Sequence, residues 1–226
     1  MAIGKTAAGM ILAGWIAVSA AEFPMRHEHL RKGCNGVMTV DDDGVRFAGP
    51  KGHAWTWKYQ DIEQLRLEPA RIRILTYKDN KWRLGADRAF EFTGTPPYET
   101  LLQIWRDLMD QRFVAALPPL TSVEGVFSIP VKHLKRLSGS EGSLVFDDDS
   151  IAYSASGSGE SRIWRYSDID RISSSGPFQL TITTFERDRS DYGERKDFNF
   201  QLKQPITEAR YNEIWLQIER KNGRIQ

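Results

Sequence analysis

The sequence predicts an α+β protein, mainly β, made of two tandem modules that each end in an amphipathic helix. Three observations support this: a six-residue pattern occurs twice, strand-like apolar alternation dominates both halves, and each half ends in a helical apolar stripe. The pattern is Trp-Lys-Tyr-Gln-Asp-Ile at residues 57–62, and it returns as Trp-Arg-Tyr-Ser-Asp-Ile at residues 164–169. This recurrence indicates an internal repeat that spans most of the chain.

The two halves correspond in order along the sequence. Residues 24–47 match residues 130–153 at a constant offset of 106, and the offset then grows to 107, 108 and 110. Loops absorb insertions, so offsets that change only between strands indicate a tandem duplication. The predicted organisation is a signal peptide at 1–21, a first module at 22–114, a linker at 115–126 and a second module at 127–226.

Short antiparallel strands are predicted in the first module from its period-two pattern. A hairpin is expected at residues 37–47, around an Asp-Asp-Asp-Gly turn. Trp55, Trp57 and Tyr59 alternate with polar residues, so these aromatic side chains share one strand face. The strongest strand signal lies at residues 71–77, where isoleucine and threonine alternate with arginine.

Each module is predicted to close with an amphipathic helix. The first helix covers residues 98–113, with Thr95 as its N-cap and Pro96 in its first turn. In the second helix Thr207 is the expected N-cap and Gly223 the expected stop. The apolar stripes are Tyr98, Leu101, Leu102, Trp105, Leu108 and Met109 in the first helix, and Tyr211, Ile214, Trp215 and Ile218 in the second.

A family resemblance follows from the residues of the second module. Residues 142–146 and 151–153, the pattern at 164–169 and the terminal helix with Trp215 resemble the pleckstrin-homology-like (PH-like) superfold, in particular its bacterial and GRAM-like branch. The resemblance implies that each module is a strongly bent antiparallel sheet, or partial barrel, capped by its C-terminal helix. It also implies a binding role, which in this superfold means phosphoinositides, peptides or scaffolding.

The sequence departs from the lipid-binding members of that superfold in the first hairpin of each module. Those members have basic residues there, whereas this chain has Asp at 41–43 and again at 147–149. Three carboxylates repel a phosphate headgroup, so no strong binding of anionic lipid is expected. A calcium site at these turns is the alternative, but consecutive Asp side chains diverge, which favours solvated turns.

Composition excludes several classes of partner. The chain has 31 Lys and Arg against 30 Asp and Glu, so its net charge of +1 gives no field that would attract nucleic acid. Cys34 is the single cysteine, which excludes an intramolecular disulfide and any multi-cysteine metal site. The segment 1–21 has one charge, Lys5, before a short apolar run and predicts export to the periplasm or beyond. An uncleaved N-terminal anchor is the alternative.

The histidines are candidate metal ligands. His27 and His133 occupy equivalent positions in the two modules, whereas His29 and His53 have no counterpart. Because the equivalent pair lies in different modules and no partner stands at ligand spacing, a shared packing or hydrogen-bonding role is favoured over zinc. The sequence therefore predicts no metal and no cofactor.

No pattern predicts catalysis either. Gly-Ser-Gly at 157–159 matches no phosphate loop, no serine lies in a nucleophile elbow, and Cys34 has no evident base in sequence. The repeated Trp and Tyr favour a structural role over an exposed platform, and Asp61 and Asp168 are expected to bond the backbone of the tight connection. The expected function is a non-enzymatic binding or scaffolding protein of the cell envelope, with a protein or small ligand as partner. Alternatives are an N-terminally anchored membrane-surface module and a hydrolase or metal-dependent enzyme that uses the histidines.

Overall fold

Two antiparallel sheets and two helices make up the described part of the chain, which confirms a mainly β protein with α-helix. The computed structural model describes residues 20–29, 32–80, 87–120, 125–135, 137–157, 161–188 and 195–226. The predicted signal peptide lies outside these ranges except for its last two residues, and Ala21 already begins the first strand. Among the described helices, none has both the length and the apolarity needed to cross a bilayer.

Eight strands form the first sheet. They are β1 (Ala21–Glu28), β2 (Cys34–Asp41), β3 (Gly44–Ala48), β4 (Ala54–Lys58), β5 (Ile62–Glu68), β6 (Arg71–Asp79), β7 (Asp87–Gly94) and β8 (Val114–Ala116). Their order across the sheet is β4-β3-β2-β1-β7-β6-β5-β8, antiparallel except for the parallel pair β5 and β8. Helix α1 (Tyr98–Leu108) follows β7 and packs against β5 and β8.

The second sheet is a curled half-barrel of seven strands. They are β9 (Phe127–Leu134), β10 (Gly139–Phe146), β11 (Ser150–Ala155), β12 (Arg162–Arg165), β13 (Ile169–Ser173), β14 (Gln179–Arg187) and β15 (Arg195–Leu202). Their order, β12-β11-β10-β9-β15-β14-β13, repeats that of the first sheet without β8. Helix α2 (Glu208–Lys221) closes the chain against β13.

Strand pairing follows the same register in both sheets. His27 in β1 lies opposite Cys34 in β2, and His133 in β9 lies opposite Ser140 in β10, at the same offset of 106. Both sheets also have a register shift in the strand after the Trp pattern, in β5 and in β13. The period-two side-chain pattern therefore positions equivalent residues on equivalent faces of the two sheets.

The repeated Trp pattern forms a strand followed by a 3₁₀ turn. The side chains of Trp57 and Trp164 are buried in the cores of their sheets. Each 3₁₀ turn begins with the tyrosine of the pattern. The Tyr59 hydroxyl donates to the carbonyl oxygen of Asp41 at 2.7 Å, and the Tyr166 hydroxyl donates to that of Asp147 at the same distance. The pattern thus ties its own turn to the acidic hairpin turn, which confirms the structural role over the platform.

The helix predictions are confirmed for α2 and partly wrong for α1. Thr207 caps α2 by accepting from the backbone N–H of Arg210, and Gly223 follows the helix with a φ of +66°. Helix α1 begins at Tyr98 after Pro97, so Thr95 is not its cap, and Met109 leaves it in extended conformation. Proline supplies no side-chain acceptor, and residues 111–113 form a separate 3₁₀ turn capped by the Asp110 carboxylate.

The first two residues of the predicted linker at 115–126 belong to β8. The run Val-Ala-Ala is buried along the edge of β5, and the N–H of Leu117 donates to the carbonyl oxygen of Leu67 at 2.9 Å. An exposed strand edge with free backbone groups favours such pairing. Residues 121–124 lie outside the described ranges.

Helix α1 connects the first sheet to the second through charged contacts. Arg106 forms an ion pair with Asp168 of the second 3₁₀ turn, and Arg165 donates to Glu99 at 2.6 Å. Asp168 is only 5% exposed, whereas Asp61, which has the equivalent position in the first sheet, is exposed. The Arg165 backbone also favours the ionised form of Asp168, as does the ion pair across the junction.

A second set of contacts joins β5 to β14. The Gln64 side-chain amide donates to the carbonyl oxygen of Phe185 at 2.9 Å, and both groups are buried. Glu63 forms an ion pair with Arg187 beside this hydrogen bond. Since buried polar groups are costly when they lose their partners, these contacts hold the two sheets in one arrangement.

Burial raises the pKa of Asp168 to about 6 from 3.8, although Arg106 and Arg165 oppose the shift. The folded chain therefore binds this proton more tightly than the unfolded chain does. Through linkage, this carboxyl lowers the free energy of unfolding as the pH rises from about 4 to about 6, and it adds no further change above that range.

The substitution Asp168→Asn tests this assignment because it removes the titrating group at the junction. We expect the stability of the variant relative to the parent to rise by about 2–3 kcal/mol between pH 4 and pH 7. Urea denaturation at several pH values measures it. Asp61→Asn is the matched control, since water solvates that exposed carboxylate. Parallel stability curves for parent and Asp168→Asn would contradict the assignment.

Candidate metal centre

Four potential metal ligands converge at one edge of the first sheet: His27, His29, Cys34 and His53, here termed the Cys/His cluster. His27 lies in β1 directly opposite Cys34, the first residue of β2. His29 follows the end of β1, and His53 lies in the turn just before β4. The antiparallel order β4-β3-β2-β1 brings these strand ends together, although the residues are spread over 27 positions.

The donor atoms are close enough to share one ion. Each residue offers one ligand atom, and the four atoms all lie within 4.8 Å of one another. Cys34 Sγ is 3.1 Å from His53 Nδ1 and 4.0 Å from His27 Nδ1. Tetrahedral zinc, with bonds of about 2.3 Å to sulfur and 2.0–2.1 Å to nitrogen, separates such atoms by about 3.5 Å. The distance from Cys34 Sγ to His53 Nδ1 is shorter than that value, and the distance to His27 Nδ1 is longer.

A tight turn positions His53. The His53 N–H donates to the carbonyl oxygen of Pro50 at 2.8 Å, and the Gly49 N–H donates to that of His53 at 2.9 Å. Gly52 has a φ of +86°, in the left-handed region that other residues rarely adopt. Two backbone hydrogen bonds and a glycine thus place this imidazole beside the start of β2.

Aromatic side chains surround the inner member of the cluster. The His27 ring centroid lies 4.6 Å from that of Trp55 and 5.2 Å from that of Phe92, and Phe47 and Phe90 are each 6.2 Å away. This burial lowers the pKa of His27, and the nearby imidazoles of the cluster lower it further. A neutral imidazole is the form that binds a metal ion.

Solvent exposure decreases from the rim of the cluster inward. His29 is exposed, Cys34 and His53 are half-buried, and His27 is 8% exposed. The cluster is therefore open to solvent on the side of His29 and closed by the aromatic side chains behind His27. An ion can reach this site without passing through the core.

The second sheet has a hydroxyl pair at the equivalent place. Ser140 stands where Cys34 stands, and its Oγ lies 2.8 Å from the hydroxyl of Tyr153, which replaces Phe47. Lys135 takes the position of His29, and His133 that of His27. The position equivalent to His53 falls within residues 158–160, outside the described ranges. Only the first sheet shows this set of donors among the described residues.

The donor set determines what this arrangement can do. One thiolate and three imidazoles form a borderline-soft ligand set, which suits zinc and related transition metals and not calcium or magnesium. A thiol 3.1 Å from an imidazole also resembles a cysteine nucleophile with its base. Two further imidazoles at the same point have no role in such a pair, whereas a four-coordinate metal uses them all.

The acidic turns have the solvated structure that the sequence predicts. The Asp41 carboxylate accepts from the N–H groups of Asp43 and Gly44, and it pairs with Arg46. The Asp147 carboxylate accepts from the N–H of Asp148. These bonds stabilise the turns themselves, as Asp commonly does. No group of potential ligands in the described residues includes these carboxylates.

A cleft of about 560 Å³ lies where β5 meets the second sheet. Its cationic side chains are matched by carboxylates: Arg66 pairs with Glu68 at 2.7 Å and with Glu186 at 3.5 Å, and Glu186 also pairs with Arg162. Because Glu186 is only 3% exposed, these pairs are part of the junction. The cleft thus resembles a self-neutralised interface more than a charged binding site.

The sequence analysis did not find the Cys/His cluster, because its four residues come together in space and are not adjacent or regularly spaced in the chain. No ligand partner for His27 stands at helical or loop spacing, and Cys34 has no evident base in the sequence. One signal was present: three of the four histidines and the only cysteine fall within residues 27–53. Combined with the predicted strand order, that concentration would have pointed to this edge.

Comparisons with known proteins assign no family to this chain. No family model matches it, and no curated protein matches it. The solved structures that are similar to it include one described as "Structure of the Spt16D Pob3N heterodimer", with a TM-score of 0.33 and 12% sequence identity. The match covers 73% of this chain and 84% of that chain. A likeness of this level supports no conclusion about function.

Cobalt(II) tests whether the four donors act together. We expect the parent chain to give the intense visible bands of tetrahedral cobalt and a sulfur-to-cobalt charge-transfer band, because Cys34 supplies a thiolate. The variant Cys34→Ser should lose the charge-transfer band. Ser140→Ala, at the equivalent position of the second sheet, should leave the spectrum unchanged. Weak octahedral bands in the parent would contradict a shared tetrahedral site.

Proposed function

We propose that the protein binds a transition-metal ion of tetrahedral preference, of which zinc(II) is the type, at the Cys/His cluster. The observation that supports this most directly is that one thiol and three imidazoles lie within 4.8 Å of one another at one sheet edge. Structural zinc sites use four protein ligands of this kind. A complete set of four leaves no open position for a substrate, which agrees with a non-enzymatic binding role.

We further propose that the two sheets are PH-like modules related by tandem duplication. Three features support the proposal: the same strand order, the same register at His27–Cys34 and His133–Ser140, and the same tyrosine tether to an acidic turn. In this interpretation the first module gained the cluster after the duplication. The second module keeps a serine and a lysine at the positions of Cys34 and His29.

Zinc titration by calorimetry tests the proposed function. We expect one zinc ion per chain, and a loss of affinity of more than about 100-fold in Cys34→Ser and in His53→Ala. Changes in groups that only support metal ligands already cost about 10–100-fold, so a lost ligand costs at least as much. His133→Ala is the matched control and should bind zinc as the parent does. Equal affinity in all four proteins would remove the proposal.

We also propose that the chain is exported, on the support of the signal-like segment at 1–21. Expression of the full chain in a bacterial host, followed by fractionation and N-terminal sequencing, tests this. We expect the mature chain outside the cytosol, with an N-terminus near residue 22. Recovery of the intact chain from the cytosol alone would contradict export and leave the metal proposal unaffected.

A further inference from the structure

We infer that the metal is an exchangeable ligand of an already folded protein, loaded and released at the sheet edge, and is not a structural ion that the fold requires. The inference rests on the proposed zinc site and concerns its use. Structural zinc sites of small domains behave differently, because there the binding free energy is also the folding free energy. Four features of this chain favour exchange.

The second sheet is the first of these features, since it forms the same structure with other residues. Its strands β9 and β10 pair in the register of β1 and β2, with Ser140 opposite His133 where Cys34 lies opposite His27. Its core is closed by the same kinds of side chain, with Trp164 and Phe200 at the positions of Trp57 and Phe92. This strand arrangement therefore does not depend on a thiolate at that position.

The location of the donors is the second feature. Only His27 is part of a strand interior, while Cys34 begins a strand and His29 and His53 lie outside strands. His27 packs against the aromatic side chains at the edge of the buried core, Cys34 borders that core half-buried, and His29 and His53 lie outside it. Removing an ion from the strand ends leaves this apolar core intact.

Backbone geometry that needs no metal is the third feature. The register of β1 and β2 fixes the pair His27 and Cys34, and the turn hydrogen bonds at Gly49 and Pro50 fix His53. If the ion leaves, the thiol and the His53 imidazole at 3.1 Å can hydrogen-bond to each other. The ligands are thus held by the fold, and the metal adds to a site that the chain already forms.

Access is the fourth feature. His29 is exposed, and Cys34 and His53 are half-buried, so an incoming chelator or carrier can reach the ion from solvent. An ion bound at an open edge exchanges on a folded chain, which suits a protein that carries or senses a thiophilic cation.

The experiment uses the full mature chain under reducing conditions, with zinc(II) as the probe. Zinc is removed with a strong chelator and then restored, while far-UV circular dichroism, thermal unfolding and bound zinc are measured. We expect an unchanged spectrum after removal, full reloading, and a Tm that rises with the logarithm of the free zinc concentration. The double variant His29→Lys/Cys34→Ser installs the residues of the second sheet. This variant should fold and should bind no zinc over the range of free zinc that loads the parent. Its Tm should equal that of the zinc-free parent.

Three outcomes would overturn the inference. Loss of the β-sheet spectrum when zinc is removed would show that the ion is structural, and the proposed zinc site would stand. Failure of both His29→Lys/Cys34→Ser and Cys34→Ser alone to fold would show that the first sheet depends on the donors. A parent chain that folds but binds no zinc would instead remove the proposed function, and the inference with it.

Discussion

The antiparallel register of β1 and β2 is the constraint on which the proposed site depends. It places His27 opposite Cys34 and turns both side chains to the face where the turn before β4 presents His53. A slip of one residue would reverse every side chain of the strand to the other face. The register is specified by the apolar residues of β1, Phe23 and Met25, which must enter the core. Hydrophobic burial thus determines where His27 and Cys34 of the Cys/His cluster lie.

Much of the fold could be predicted from the sequence, because side-chain period and turn chemistry are local properties. The paired hairpins, the buried face of β6 and the Thr207 cap all follow from residues near one another in the chain. The start of α1 could not be predicted in the same way, since Thr95 has the side chain of a suitable N-cap and the helix nevertheless begins at Tyr98, after Pro97, which supplies no side-chain acceptor. The strand β8 exists because β5 offers it an edge.

The candidate site was hidden from sequence reasoning for a different reason. Comparing the two halves directs attention to residues that recur, such as His27 and His133, and away from residues that do not. His29, Cys34 and His53 have no counterparts of the same type in the described part of the second half. Their chemistry appears only when the strand order brings the ends of β1, β2 and β4 together. The burial of Asp168 could not be predicted from its local sequence either, because it depends on contact with α1, which follows the first sheet.

The hydroxyl pair of Ser140 and Tyr153 shows what this edge of the fold can tolerate. Positions at strand ends and turns accept a serine, a lysine, a cysteine or a histidine, while the tryptophan and phenylalanine behind them keep the sheet together. Under the proposed duplication, one module can change the residues at this edge while both modules retain their apolar cores. The edge formed by β1 and β2 is therefore a position where new binding residues can be introduced, by evolution or by design, without a change in the core.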